Sequence, residues 1–142
     1  MRIDPQQLAD REAIRECVLR YSRGVDRLDA EQMKSAYWPE ATDDHGRFVG
    51  NGHEFADRVV GTHDRWAASM HCNYNHSIEF DDATHARGEI YNVTYLLAKD
   101  GGPWSVWLGR YLDRYECRDG DWRISHRICV HEGTTTIEGA PM

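Results

Sequence analysis

A chain of 142 residues is the size of one domain, and 40% hydrophobic against 29% charged residues is a globular balance that excludes wholesale disorder. The formal net charge of −7 sets 17 Lys and Arg against 24 Asp and Glu, without the clustered bases that a phosphate backbone needs, so no nucleic-acid partner is expected. No run approaches the ~18 consecutive apolar residues of a membrane helix, and the opening Met1-Arg2-Ile3-Asp4-Pro5 carries no apolar leader, which sets the expectation of a cytoplasmic protein with no membrane partner.

From Gln6 to about Gly24, Leu8, Ile14, Cys17, Val18, Tyr21 and Val25 fall on one stripe at helical spacing. Asp4 before Pro5 fits a cap followed by a first-turn proline, and Gly24 marks the expected end. A short helix follows from about Asp29 to Tyr37, with Asp29 as cap and Pro39 as stop. The stretch Asp43 to Gly52 is rich in glycine and carboxylates and reads as a hairpin or an ordered loop. A third helix is expected from His53 to Met70, with Phe55, Val59, His63, Trp66 and Met70 on one face. Beyond it, four runs rich in Ile, Val, Thr, Tyr and Trp read as strands, at about 71–80, 86–98, 104–117 and 122–136. Asp100-Gly101-Gly102-Pro103 and Asp119-Gly120 between them are hairpin signals. Helices first and then consecutive hairpins predict one α+β domain spanning 1–142. The helices are expected on one face of its long antiparallel sheet, which must twist and curl and so tends to leave a concave face.

The chemistry is less explicit. There is no glycine-rich phosphate loop, no G-x-S-x-G and no H-E-x-x-H. The four cysteines, Cys17, Cys72, Cys117 and Cys129, are widely spaced and read as reduced, small apolar residues. Of the eight histidines, His53 and His63 read as partly buried packing, and His85 as exposed. His45 is either solvated or at a cavity mouth. His131, near the end of the last strand, lines a pocket or an interface. His71 and His76 are five positions apart, as are His126 and His131. On a regular strand such pairs point to opposite faces, so neither chelates one ion without a bulge, and no metal is expected.

Strand parity sorts the remaining candidates. Cys72, Tyr74, His76, Ile78 and Phe80 share one face; His71, Asn73, Asn75, Ser77 and Glu79 share the other, which is polar and pocket-like. On the last strand Trp122, Ile124, His126 and Ile128 share a face, and Arg127 points the other way unless a bulge intervenes. Asp26, between Val25 and Leu28 near a helix end, is either an exposed cap or a pocket-lining carboxylate. Tyr21 is either a core tyrosine or a pocket hydroxyl. Trp66, Tyr74, Tyr91, Tyr95, Trp104, Trp107 and Tyr111 supply apolar walls, in a pocket, the core or an interface.

The opening Leu8-Ala9-Asp10-Arg11-Glu12-Ala13-Ile14, then Tyr21 and Gly24-Val25-Asp26, and the closing run from Tyr111 to Arg127 resemble the SnoaL-like proteins of the nuclear-transport-factor-2-like superfamily, over roughly residues 7–131. The resemblance implies a cone, a curled sheet wrapped around helices with an internal cavity. Within that superfamily the chain is most similar to the group of scytalone dehydratase, bile-acid 7α-dehydratase and hexachlorocyclohexane dehydrochlorinase. Those enzymes pair an aspartate after the first helix with a histidine on the first long strand. Asp26 matches the aspartate. His71, seven residues ahead of Ile78-Glu79-Phe80, matches the histidine, with His76 as the fallback. Tyr21 matches a tyrosine of the bile-acid enzyme, and Arg127 an arginine found in that enzyme and in the dehydrochlorinase. The extra tyrosines and second histidine of scytalone dehydratase have no assigned counterpart here.

The resemblance implies a cofactor-independent lyase acting on a small cyclic or aromatic compound. Asp26 and His71 would form a general base, Tyr21 would donate to a leaving hydroxyl or enolate, and Arg127 would stabilise negative charge. Tyr111, Trp66, Asn75 and His76 would contact substrate. An isomerase or polyketide cyclase-like enzyme with the same base is the second implied reading, and a non-catalytic module that binds small ligands or assembles is the third. The resemblance also implies a homo-oligomer, trimer or dimer. The tail from Glu132 to Met142 either covers the cavity mouth or frays.

Overall fold

The first helix is begun by its own sequence. In the computed structural model, which describes residues 4–139, the Asp4 carboxylate accepts the Gln6 N–H and Pro5 opens α1 (Pro5–Asp26). Its buried face carries Ile14, Cys17, Val18, Tyr21 and Val25. The helix passes through Gly24, the expected stop, and ends at Asp26. Gly24 serves packing instead: a Cβ there would lie 2.5 Å from the Met33 backbone nitrogen, so only glycine lets α2 (Ala30–Lys34) approach so closely. Leu28 makes the sharp turn between the helices with φ at 56°. Asp29 caps α2 as expected by accepting the Gln32 N–H.

The helix expected to reach Tyr37 ends at Lys34, and Tyr37 opens β1 (Tyr37–Asp44). Pro39 is therefore in a strand, within the stretch between Tyr37 and Thr42 where pairing with β6 (Asp121–Ile137) is interrupted. A residue without an N–H is tolerated there. A tight turn with Gly46 at φ 74° leads to β2 (Val49–Asn51), so the glycine-rich stretch is a hairpin. The Asn51 side chain caps α3 (Gly52–His63) by accepting from His53 and Glu54. That helix stops seven residues short of Met70. β3 (Ala68–Phe80) has already begun at Ala68, because the end of β4 (His85–Leu97) needs partners and Ala68 pairs with Leu97. β5 (Trp104–Arg118) completes the set.

The six strands form one sheet in the order β2-β1-β6-β5-β4-β3, antiparallel except for β1 beside β6. The fold is thus α+β, with N-terminal helices on the concave face of a curled sheet. The core lies between them: Ile14, Val18, Tyr21 and Val25 of α1 and Phe55 and Val59 of α3 meet Ile78, Ile90, Tyr111, Tyr115, Trp122 and Ile124 of the sheet.

Two register shifts correct the parity reading. On β3 the pairing jumps from Asn73↔Asn92 to His76↔Ile90, with Tyr74 and Asn75 between. On β6 it jumps from Tyr115↔Ile124 to Arg114↔His126, which leaves Ser125 unpaired. Each bulge moves the following residues to the other face. His71 and His76 therefore both point inward despite their odd spacing, and Arg127 joins Trp122 and Ile124 on the inner side. The tail does not fray up to Ile137: it extends β6 against β5, with Ile137 opposite Trp104, and residues 140–142 lie outside the described residues. The four cysteines are free thiols. Among the described residues no helix is long and apolar enough to cross a membrane.

Candidate active site

Between α1, α3 and the inner face of the sheet is a cavity of about 230 Å³, the scale of a small organic molecule. Tyr21 and Val25 of α1, Phe55, Val59 and His63 of α3, His71 of β3 and Tyr111 of β5 line it, together with His45 and Trp66 from the connections.

The end of α1 places Asp26 beside the start of β3, and three hydrogen bonds hold it there. Oδ1 accepts from Ser69 Oγ at 2.9 Å and from His71 Nδ1–H at 2.6 Å; Oδ2 accepts the His71 backbone N–H at 2.9 Å. One carboxylate thus clamps both the backbone and the ring of one histidine, which fixes tautomer and orientation together. Burial pushes the Asp26 carboxyl up, but the donations from His71 and Ser69 outweigh it and hold the pKa below the ordinary value. Nε2 of His71 makes no hydrogen bond among the described residues, and the ring faces the cavity.

His63 sits with its ring 6.4 Å from that of His71. Burial, then the neighbouring His71 and Arg65, lower its pKa to about 4, so it is a neutral wall. Among the described residues its Nδ1 and the Trp66 Nε1 are buried with no hydrogen-bond partner. Both are uncommitted polar atoms on residues that line the cavity.

Tyr21 is buried, and its hydroxyl lies 3.3 Å from Nε2 of His45. The other ring nitrogen of His45 hydrogen-bonds the buried Asp43, whose second oxygen accepts the Tyr37 hydroxyl at 2.5 Å. Arg127 is fully buried behind this wall. Its Nε and Nη2 donate to Asp113 at 2.7 and 2.6 Å, and its guanidinium lies 4.2 Å from the Tyr21 ring centre and 4.0 Å from that of Tyr111.

The structure thus brings Asp26, His71, Tyr21, Tyr111 and Trp66 to one place. It sets Arg127 one layer back, where it supports the two tyrosines and does not line the cavity. The remaining two candidates are elsewhere. Asn75 is in the β3 bulge and exposed, because the extra residue there breaks the alternation that pointed it inward. His76 is beyond that bulge, 3.2 Å from the Tyr115 hydroxyl and outside the cavity lining, and burial lowers its pKa to about 4. Asp43 and His63 were not expected at the site, and His45 was placed there only as one of two alternatives. Asp43 and His45 are two residues apart, the spacing that keeps side chains on one face of a strand, and that was the signal available. Among the described residues no group of three or more His, Cys, Asp or Glu is placed to hold a metal ion.

Comparison with known proteins places the chain in a family. The chain matches no curated protein sequence. Among solved structures it is similar to hexachlorocyclohexane dehydrochlorinase LinA-type3 from Novosphingobium barchaimii LL02, at 25% identity and TM-score 0.85, covering 99% of this chain and 98% of that one. It is also similar to a putative scytalone dehydratase from Novosphingobium aromaticivorans, at 20% identity and TM-score 0.82, covering 96% of this chain and 95% of that one. An NTF2-like protein with a cystatin-like fold from the same species matches at 17% identity and TM-score 0.78, covering 89% of this chain and 84% of that one. The family described as SnoaL-like domain matches residues 6–128, nearly the whole of the described chain, and to that family this protein belongs.

Proposed function

We propose that this protein is a cofactor-independent lyase that removes a carbon-bound proton from a small cyclic or aromatic compound and expels a neighbouring leaving group. The observation that carries the reading is the Asp26 clamp, which commits Nδ1 of His71 to a carboxylate and leaves Nε2 bare at the cavity. A histidine held this way presents the basic lone pair, and the carboxylate stabilises the imidazolium that forms on proton uptake. A positioned base of this kind contributes ~10²–10⁴-fold. The structural neighbours named as a dehydrochlorinase and a putative scytalone dehydratase are consistent with elimination. The apolar walls from Val25, Phe55, Val59 and Trp66 suit a ring rather than a charged chain.

The test is a panel of cyclic hydroxy ketones and cyclic polyhalides incubated in deuterated water. Product is followed by mass spectrometry for the wild type, His71→Ala and Asp26→Asn. Elimination by the wild type, reduced by roughly 10²-fold or more in both variants, is expected. Deuterium uptake without loss of a leaving group would make the protein an isomerase, and turnover indifferent to His71→Ala would remove the base altogether. Self-association belongs to the same proposal, since Met70, Tyr74, Tyr91 and Trp107 are exposed on β3, β4 and β5. Sedimentation that returns a concentration-independent monomer would refute that part.

A further inference from the structure

The four cysteines occupy different surroundings. Cys17 is fully buried, and its thiol donates to the Ala36 carbonyl at 3.1 Å. Burial pushes its pKa up to about 12. Cys72 and Cys117 are half-buried and outside the cavity lining. Cys129 is half-buried and lines the cavity, and the base chemistry of His71 gives it no part.

Sheet register sets an imidazole beside that thiol. β1 runs parallel to β6, with Asp43 opposite Arg127, both fully buried. Two residues further along each chain, the strand period returns His45 and Cys129 to the same inward side. From the other neighbour, β5, Tyr111 is opposite Cys129, and the Tyr111 ring is 6.1 Å from that of His45. The Cys129 thiol is within hydrogen-bonding reach of the His45 ring. That ring is held from behind. Its Nδ1 hydrogen-bonds the buried Asp43, which also accepts the Tyr37 hydroxyl, and the ring stacks on Phe55 with centroids 4.1 Å apart. Nε2 is the nitrogen left for other partners, and the Tyr21 hydroxyl is 3.3 Å from it. Thiol, imidazole and carboxylate therefore follow one another in the order that activates a nucleophile.

We propose that Cys129 is a nucleophile, with His45 as its base and Asp43 holding the ring, and that the cavity captures conjugated cyclic ketones covalently at this sulfur. The class of compound follows from the surroundings. Val25, Phe55, Trp66 and Tyr111 make walls that suit an apolar ring, and an activated sulfur adds readily to a carbon in conjugation with a carbonyl. Burial opposes charge on the His45 ring, but Asp43 and Cys129 raise its pKa to about 9, so the ring holds firmly the proton that leaves the sulfur.

The step needs no oxidant and no leaving group. The thiol proton goes to Nε2 of His45. A sulfur lone pair forms the bond to the β-carbon of the ketone, and the pair of the carbon–carbon double bond moves through the α-carbon onto the carbonyl oxygen. The α-carbon then takes the proton back from His45 as the carbonyl reforms. The adduct is a thioether whose mass is the sum of protein and ketone. The centre stands apart from the lyase reading, because each imidazole has its own carboxylate: His71 has Asp26, and His45 has Asp43.

The experiment treats the purified protein with 2-cyclohexen-1-one at pH 7 and follows the adduct by intact mass and peptide mapping, with N-acetylcysteine as the reference thiol. An ordinary thiol, with a pKa of ~8.5, is only a few per cent thiolate at that pH. One adduct is expected, on Cys129, formed roughly tenfold faster or more than on N-acetylcysteine. His45→Phe keeps a ring against Phe55 and removes the base. It is expected to slow Cys129 roughly tenfold or more, while Cys72 and Cys117 react as in the wild type. Modification of Cys72 or Cys117 ahead of Cys129, or a Cys129 rate no higher than that of N-acetylcysteine, would overturn the proposal on the wild type alone. So would an undiminished rate in a His45→Phe protein with a native circular dichroism spectrum. Rapid capture of iodoacetamide at Cys129 with no adduct from the ketone would overturn the class of compound. The two readings fail separately: adduct formation without elimination of any substrate removes the lyase, while elimination with an inert Cys129 removes only the capture site.

Discussion

Removing either partner of the Arg127–Asp113 pair is expected to cost a large share of the stability of the domain. Both side chains are 0% exposed, and the two bonds between them, at 2.7 and 2.6 Å, are the pair's main compensation for leaving water. Asp113→Ala would leave a guanidinium that water cannot reach, with only the faces of Tyr21 and Tyr111 beside it. A buried pair broken from one side costs about 3–5 kcal/mol, against a total of about 5–15 kcal/mol for a domain. At about 3–4 °C per kcal/mol for a chain of this length, the melting point should fall by roughly 10–20 °C. Arg127→Met should cost a similar amount, because it strands Asp113 with only the Tyr115 hydroxyl, at 2.8 Å. The double variant Arg127→Met with Asp113→Ala removes both charges together, and it should lose less than the sum of the two single changes. Urea denaturation of the four proteins by circular dichroism gives the cycle. Single losses under about 1 kcal/mol, the behaviour of an exposed ion pair, or a double loss equal to the sum of the singles, would refute the reasoning.

Asp26→Asn should flatten the acid limb of stability. The folded carboxyl titrates below its ordinary value, so its contribution is present above that value and is lost as pH falls through the folded one; denaturation series from neutral pH downward should show a shallower acid limb than the wild type. The variant should also lose about 1–3 kcal/mol near neutrality, because an amide nitrogen must face a donor of Ser69 or His71. Gly24→Ala puts a Cβ 2.5 Å from the Met33 nitrogen and 2.7 Å from its Cα. Backbone must move, so about 1–3 kcal/mol should be lost despite alanine's better helix propensity, and a raised melting point would refute the packing role given to that glycine. Deleting Ser125 removes the one residue left unpaired there and keeps Ile124 opposite Tyr115 and His126 opposite Arg114, so Arg127 should stay on the inner face and the native near-ultraviolet signal should survive. Inserting one further residue after Ser125 should instead abolish that signal, and a protein that keeps it would show that the bulge does not set the face.

How far the site was legible depended on which physical rule each residue obeyed. Asp4, Asp29 and the two hairpin signals act within a few residues, and those local rules placed α1, α2 and the meander. Gly24 and Pro39 carry the same kind of signal, yet both were misread, because a neighbouring helix and an interrupted strand pairing set their environment. The spacing of Asp26 and His71 was legible through the resemblance, whereas Asp43 was not, because nothing local tells that a carboxylate near the end of β1 will be buried against the Tyr37 hydroxyl and the His45 ring.

The parity errors have a common cause. One end of the cone is the cavity and the other is a dry core, and β3 and β6 run through both. On β3, His71 and Asn73 face inward at the cavity end, and Ile78 and Phe80 face inward against Trp122 at the core end. On β6 the sequence is reversed: Trp122 and Ile124 fill the core, then Arg127 and Cys129 back the cavity. Strict alternation would keep a strand's inward set on one parity from end to end. A strand whose cavity residues and core residues lie on opposite parities must slip by one residue where the two regions meet. Tyr74–Asn75 and Ser125 are where that slip occurs, so the two bulges are the boundary between the part of the cone that holds the fold and the part that holds the site.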